Sequence, residues 1–80
     1  MRKYLVKLRK DLEKHGTVKH VAEAAGVHNT SLTDCLNGRK GIPFSMAYRL
    51  EQALGINADK LLYEQLKADW SEYLSNVIIS

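Results

Sequence analysis

Two short helical segments, predicted at residues 18–25 and 29–36, meet at a single glycine, Gly26. Helices that cross steeply after so short a turn need a small residue at the crossing point, and Ala22 supplies it. The turn itself needs a residue that adopts positive φ, which glycine does without steric cost. Apolar residues must then fill the angle between the helices. The sequence provides five of them: Val21, Ala25, Val27, Leu32 and Cys35. The pattern is typical of a helix-turn-helix over residues 17–37.

Apolar residues at helical spacing, together with capping residues, predict three more helices. The first, at residues 2–15, ends at Gly16, and the fourth, at residues 44–54, ends at Gly55. Asn57 is a good N-cap for a fifth helix. The predicted apolar faces are Tyr4, Leu5, Leu8 and Leu12 in the first helix, Met46, Ala47, Leu50 and Leu54 in the fourth, and Leu61, Leu62, Leu66, Trp70 and Leu74 in the fifth.

The C-terminal residues SNVIIS (75–80) are apolar and β-branched, and they predict either a short strand or a disordered end. Earlier in the chain, the alternation of apolar and polar residues that half-buried strands show does not occur. Eighty residues suffice for one domain. We therefore predict an all-α domain at residues 1–75, followed by a tail at 76–80 that would serve as a dimerisation strand.

Composition argues against disorder, membrane insertion and secretion. Hydrophobic residues make up 45% and charged residues 26% of the chain, as in ordinary globular proteins. No apolar run approaches the roughly 18 residues of a membrane span, and the charged N-terminus differs from a signal peptide. The one cysteine, Cys35, has no partner for an internal disulfide, which is typical of a reducing compartment. We expect a soluble, cytoplasmic protein.

Charge is distributed unevenly along the chain. Residues 1–49 contain ten Lys or Arg and four Asp or Glu, whereas residues 50–80 contain two Lys or Arg and five Asp or Glu. A basic half joined to an acidic half indicates a polyanion-binding face and a separate end with another task. The alternative is chance asymmetry in a small domain.

Residues 17–62 resemble the lambda-repressor-like helix-turn-helix family, of the Xre or Cro/CI type. The best-marked pieces are Ala22, the Gly26-Val27 pair, the Leu36-Asn37-Gly38 motif, and AYRLEQALG (47–55) followed by a capped helix. The half that begins NGRKGIPF is nearest the HigA-type antitoxin branch. The resemblance implies a five-helix DNA-binding domain whose third helix enters the major groove of double-stranded DNA.

The third helix is expected to present short polar side chains to that groove. If Leu32 points into the core, helical geometry turns Thr30, Thr33, Asp34 and Asn37 outward. Asn, Asp and Thr suit adenine, the cytosine amino group and the thymine methyl, respectively. The predicted base-reading residues are His28, Asn29, Thr30, Thr33 and Asp34. The alternative is a polar helix face without a role in recognition.

The resemblance also places phosphate contacts at the start of the second helix and in the loop after the third. The predicted DNA-backbone residues are Thr17, Lys19, Ser31, Asn37, Gly38, Arg39 and Lys40. Arg2 and Lys3 of the first helix are further candidates. Two positions depart from the family. Val18 stands where a phosphate-binding glutamine is common, and Asp34 adds a negative charge that needs a cytosine, a water or Arg39 as its partner.

No pattern in the sequence indicates an enzyme, a metal site or a cofactor. The spacings among His15, His20, His28 and Cys35 fit none of the compact zinc patterns, and Cys35 falls on an inner helix face. The sequence has no nucleophile and base at motif spacing and no phosphate-binding glycine loop. We therefore expect a non-enzymatic protein that binds neither metal nor cofactor.

The late fifth helix carries an apolar stripe that either folds back over the first helix or lies in a dimer interface. We favour the interface, because one such domain reads only a few base pairs and two-fold dimers on inverted repeats extend the site. Half-sites would then lie about one helical turn, roughly 34 Å, apart. The predicted interface residues are Leu66, Trp70, Tyr73, Leu74, Val77 and Ile78.

These observations favour a sequence-specific transcriptional repressor that binds an inverted-repeat operator as a homodimer. A second interpretation is an antitoxin that regulates its own operon and neutralises a toxin protein. The third is a protein-interaction module that kept the fold without DNA binding, and a flat dependence of affinity on salt would favour it.

Overall fold

The computed structural model describes residues 2–79, which form five α-helices and no strand. The helices are α1 (Lys3–Glu13), α2 (Val18–Ala25), α3 (Asn29–Leu36), α4 (Phe44–Leu54) and α5 (Ala58–Ile79). The predicted all-α class is confirmed. The predicted bounds of the second, third and fourth helices agree with the structure, whereas α1 is shorter at both ends than predicted.

Side-chain caps begin two of these helices. The Thr17 hydroxyl oxygen accepts a hydrogen bond from the backbone N–H of His20 at 3.2 Å, at the start of α2. The Asn57 side-chain oxygen accepts from the backbone N–H of Lys60 at 3.0 Å, at the start of α5. Each bond satisfies a backbone donor that has no partner within the helix. Asp59 lies in the first turn of α5, where the helix dipole favours a negative charge.

One hydrophobic core joins all five helices. Helices α1 to α4 have 8 to 11 residues each, and helices this short are only marginally stable alone in water, so packing stabilises them. α1 contributes one apolar face, α2 and α3 meet over the centre, and α4 and the first turns of α5 close the other side. The largest side chains with almost no exposure are Leu5, Leu12, Leu32, Leu36, Leu50, Val21 and Cys35. The inner position predicted for Cys35 is therefore confirmed.

The strand considered for residues 76–80 is wrong for the part that the structure describes, because α5 continues through Ile79. Ser80 lies outside the described residues. No Gly or Pro follows Gly55 to stop the helix. Once a helix is nucleated, each added residue gains a hydrogen bond. This gain outweighs the weak preference of β-branched residues such as Val77 for strands, which amounts to a few tenths of a kcal/mol.

The second half of α5 extends beyond the core. Ala58 and Leu61 are buried, whereas every residue from 69 to 78 is exposed. Trp70 is 58% exposed. Of the two placements considered for the late apolar stripe, folding back over α1 is therefore wrong. The Arg2 guanidinium forms ion pairs with Asp69 and Glu72, so the start of α1 is held along this part of α5.

Candidate nucleic-acid interface

The turn between α2 and α3 has the geometry that its glycine predicts. Gly26 lies in the left-handed region, with φ 70° and ψ 30°. The backbone N–H of Val27 donates to the Ala22 carbonyl at 2.9 Å, and the N–H of Gly26 donates to the Glu23 carbonyl at 3.2 Å. This pair of bonds is a Schellman motif. Ala22 is buried at the crossing of the helices. The turn therefore fixes the direction of α3 relative to α2.

α3 buries one side and leaves its polar side uncovered. Leu32, Cys35 and Leu36 point into the core, whereas Asn29 and Thr30 are exposed. The remaining residues predicted for this face lie at its margins: Ser31, Thr33 and Asp34 are half-buried, and His28 and Asn37 are exposed. No element within residues 2–79 packs over this side of α3. The predicted base-reading residues are thus brought together on one accessible surface.

Individual side chains on this face differ in what they can still offer a ligand. His28 is the N-cap residue of α3, and its side chain makes no capping hydrogen bond. Asn29 is the first helical residue, and its side-chain amide has no hydrogen bond within residues 2–79. The Thr33 hydroxyl donates to the Asn29 carbonyl at 2.9 Å. The Asn29 amide can therefore both donate and accept a hydrogen bond to a ligand. Thr33 can offer its methyl group and, as an acceptor, its hydroxyl oxygen.

The negative charge of Asp34 has a partner in the loop that follows α3. The Arg39 guanidinium lies 3.5 Å from a carboxylate oxygen of Asp34. The backbone N–H of Arg39 also donates to the Asp34 carbonyl at 2.9 Å. Three partners were considered for Asp34: a cytosine, a water and Arg39. The structure pairs it with Arg39. The pair reduces the repulsion that a lone carboxylate would exert on phosphate.

The predicted phosphate contacts lie on both sides of α3. Thr17 and Lys19 are exposed at the start of α2, where unpaired backbone N–H groups favour anions. In the loop, Asn37, Gly38, Arg39 and Lys40 are also exposed. Val18 is half-buried and packs against the core, so the valine at the family's glutamine position contributes to packing.

Three basic residues outside α3 have contacts that sequence spacing did not reveal. Arg9 of α1 donates to the side-chain oxygen of Asn37 at 3.0 Å. Arg49 of α4 donates to the Gly26 carbonyl at 3.4 Å. Arg2, considered above as a phosphate contact, is instead paired with carboxylates of α5. Arg9 and Arg49 therefore extend the basic surface around α3, and Arg2 does not.

Arg49 also lines a concavity of about 270 Å³ between α3 and α4. His28 and Lys40 line the same concavity, and no acidic side chain does. Arg49 is the one basic residue of α4; it follows Met46 by three residues, and both residues line the concavity. Periodicity alone would place it on the surface. Its position beside the turn results from the packing of α4 on α2, which the sequence pattern does not show.

With the geometry of α2 and α3 established, comparison with known proteins gives the family. The helix-turn-helix family model HTH_3, of the Xre or lambda-repressor-like type, matches residues 5–61. The chain belongs to this helix-turn-helix family. As an HTH_3 protein it is a DNA-binding transcription regulator in general terms, in a family that is generally non-enzymatic. No curated protein and no solved structure matches the chain.

Hydropathy gives no membrane-spanning segment in the described part of this HTH_3 protein. Across residues 2–79, each helix is too short or too polar to cross a bilayer.

Proposed function

We propose that this HTH_3 protein is a transcriptional repressor that binds an inverted-repeat operator as a homodimer. The observation that carries the proposal is the uncovered polar face of α3, which has basic residues on both flanks. A helix that serves only solubility carries long charged side chains, whereas this one carries short donors and acceptors that reach base edges at close range. Repression then follows from occupancy of a promoter by the bound dimer.

Base recognition is assigned to the exposed end of α3. The free amide of Asn29 would donate to and accept from an adenine in the major groove. Thr30 and Thr33 would place methyl groups against thymine, and Asp34 would accept from a cytosine amino group. A good bidentate contact discriminates against a wrong base by about 1–3 kcal/mol. Asn29 is therefore expected to carry the largest share of the base preference.

Phosphate recognition is assigned to the surfaces on either side of α3. Lys19 at the start of α2, and Arg39 and Lys40 in the loop, supply exposed positive charge. Arg49 supplies a further charge from α4, next to the turn. Such contacts set the register of the protein on the duplex and make affinity depend on salt.

Dimerisation is assigned to a regular apolar stripe on α5. The α5 stripe, defined here as Tyr63, Leu66, Trp70, Tyr73 and Val77, alternates spacings of three and four residues, as the a and d positions of a coiled coil do. These side chains are 52–69% exposed. The rings of Trp70 and Tyr73 stack with centroids 5.8 Å apart. Leu74 and Ile78 flank the stripe. So large an apolar surface is typical of an interaction site.

The base-reading assignment is tested by Asn29→Ala combined with Thr33→Ala. We expect the variant to lose most of its preference for the selected duplex over a scrambled one, because base contacts are removed while phosphate contacts stay. Its affinity for the scrambled duplex should be unchanged. Selection of bound sequences from random duplexes, followed by fluorescence anisotropy titrations, measures both. A variant that keeps full preference would show that another surface reads the bases.

The phosphate assignment is tested by Arg39→Ala combined with Lys40→Ala. This variant should bind every duplex more weakly by the same factor. The slope of log affinity against log salt should become shallower by about two per protomer, because each phosphate contact contributes close to one to the slope. Titrations at several salt concentrations measure it.

The matched control removes the same charge from Lys7 and Lys60, which lie together on α1 and α5, away from α3. The double variant Lys7→Ala with Lys60→Ala should leave the salt slope near its wild-type value. An equal change in both double variants would mean that net charge, and not the position of the loop, governs binding. A wild-type affinity independent of salt would favour a protein-interaction module over a DNA-binding one.

A further inference from the structure

We propose that Gln65 of α5 is a positioning residue for DNA binding, because it fixes the backbone of the loop that carries Arg39 and Lys40. The loop is residues 37–43, between α3 and α4. The inference rests on the proposed function, since it assigns Gln65 a role in holding phosphate contacts. Gln65 itself touches no DNA in this proposal and acts through the loop.

The side-chain amide of Gln65 makes two hydrogen bonds to a single loop residue. Its oxygen accepts from the backbone N–H of Ile42 at 2.7 Å, and its nitrogen donates to the Ile42 carbonyl at 3.1 Å. Gln65 is half-buried, and the Ile42 side chain is buried in the core. Two parallel hydrogen bonds fix the orientation of the loop backbone as well as its distance from α5. We call this pair of bonds the Gln65 clamp.

The beginning of the loop is fixed by α3, and the clamp adds to the restraint at the other end. The N–H groups of Gly38 and Arg39 donate to carbonyls of α3 at 3.1 and 2.9 Å. The Cys35 thiol donates to the Gly41 carbonyl at 3.6 Å. Burial raises the pKa of this thiol, which keeps it protonated as a donor. Lys40 stands exposed between the two restrained ends.

This arrangement shows why an α5 residue would affect phosphate binding. With both ends fixed, the loop is already ordered before it meets DNA, and little conformational entropy is lost on binding. Without the clamp, the loop occupies its binding position for only a fraction of the time. The apparent affinity is then the intrinsic affinity multiplied by that fraction. Two hydrogen bonds between neutral groups together contribute a factor of about ten to such an equilibrium.

The test is the substitution Gln65→Met, which keeps the side-chain length and removes both hydrogen bonds. We expect about a tenfold loss of affinity for the selected duplex and for a scrambled one, with unchanged base preference. The salt slope should stay close to its wild-type value, because the loop makes the same phosphate contacts once it is bound. The matched control is Gln52→Met on α4, since Gln52 is exposed and makes no side-chain hydrogen bond within residues 2–79. Anisotropy titrations measure both variants and the wild type.

A double-mutant cycle separates positioning from general destabilisation. In the background of Arg39→Ala with Lys40→Ala, Gln65→Met should cause little further loss, because the charges that the clamp positions are absent. The same tenfold loss in both backgrounds would overturn the proposal, as would wild-type affinity for Gln65→Met alone. A wild-type protein that binds no duplex would overturn the proposed function itself, and the positioning role with it.

A measurement on the wild-type protein covers the case in which Gln65→Met does not fold. Amide hydrogen exchange should show the N–H of Ile42 protected at least about tenfold more than the exposed N–H of Lys40, because Gln65 holds the Ile42 donor. Equal exchange at the two positions would mean that the clamp is not maintained in solution, and it would overturn the proposal without reference to DNA.

Discussion

Trp70→Glu is expected to convert the proposed homodimer into a monomer and to reduce its affinity for the selected duplex by about 10²–10⁴-fold. Trp70 lies at the centre of the α5 stripe, and a charge there would have to be buried without a partner if two copies paired. The oligomeric state is measured by analytical ultracentrifugation, and the affinity by anisotropy on the same samples.

The size of the expected loss of affinity for the duplex follows from avidity. When two domains are joined, the second half-site is bound as an intramolecular step at a high effective concentration. A monomer loses that advantage but keeps every contact of its own α3 and loop. The variant should therefore retain its base preference on a single half-site. This retained preference distinguishes loss of the dimer from loss of the fold.

Val6→Glu is the matched control for this experiment. Val6 is an exposed apolar residue of α1, outside the α5 stripe, and the substitution adds the same negative charge. It should leave the oligomeric state unchanged and lower the affinity only by the small electrostatic effect of one charge. A wild-type protein that is monomeric alone and on its best duplex would contradict the dimer, as would a Trp70→Glu variant that remains dimeric.

The parts of the fold that the sequence predicted correctly depend on local stereochemistry. The junction of α2 and α3 could be predicted from Ala22 and Gly26. Few other residues are small enough for the helix crossing or adopt the left-handed conformation of the turn. Thr17 and Asn57 mark helix starts through side-chain caps that form within three residues. Once Leu32 is placed in the core, the helical period of 3.6 residues determines which side chains of α3 form its exposed polar face. Each inference needs only a few neighbouring residues.

The features that sequence reasoning missed depend on packing between distant segments. Gln65 and Ile42 are 23 residues apart, as are Arg49 and Gly26, and Arg2 and Glu72 are 70 apart. A helical period places these polar residues on the surface but does not identify a partner. The end of α5 was missed for another reason: β-branched residues indicate a strand by propensity, while continuation of an established helix decides the outcome.

Leu32→Ala is expected to destabilise the protein by about 2–5 kcal/mol, because it leaves a cavity at the fully buried centre of α3. A domain of this size has a total stability of roughly 4–12 kcal/mol. The midpoint of thermal unfolding should fall by about 10–25 °C, as measured by circular dichroism. Since α3 has eight residues and cannot persist without packing, the polar face that it presents to DNA should be lost in the same transition.

Leu66→Ala removes the same atoms from a leucine that is 69% exposed on α5. Both substitutions are best compared in the Trp70→Glu background, where association between copies does not contribute to stability. In that background Leu66→Ala should change the free energy of unfolding by less than about 0.5 kcal/mol. Equal losses for the two variants would mean that Leu32 does not fill the core. The orientation assigned to α3, and every base contact deduced from it, would then be wrong.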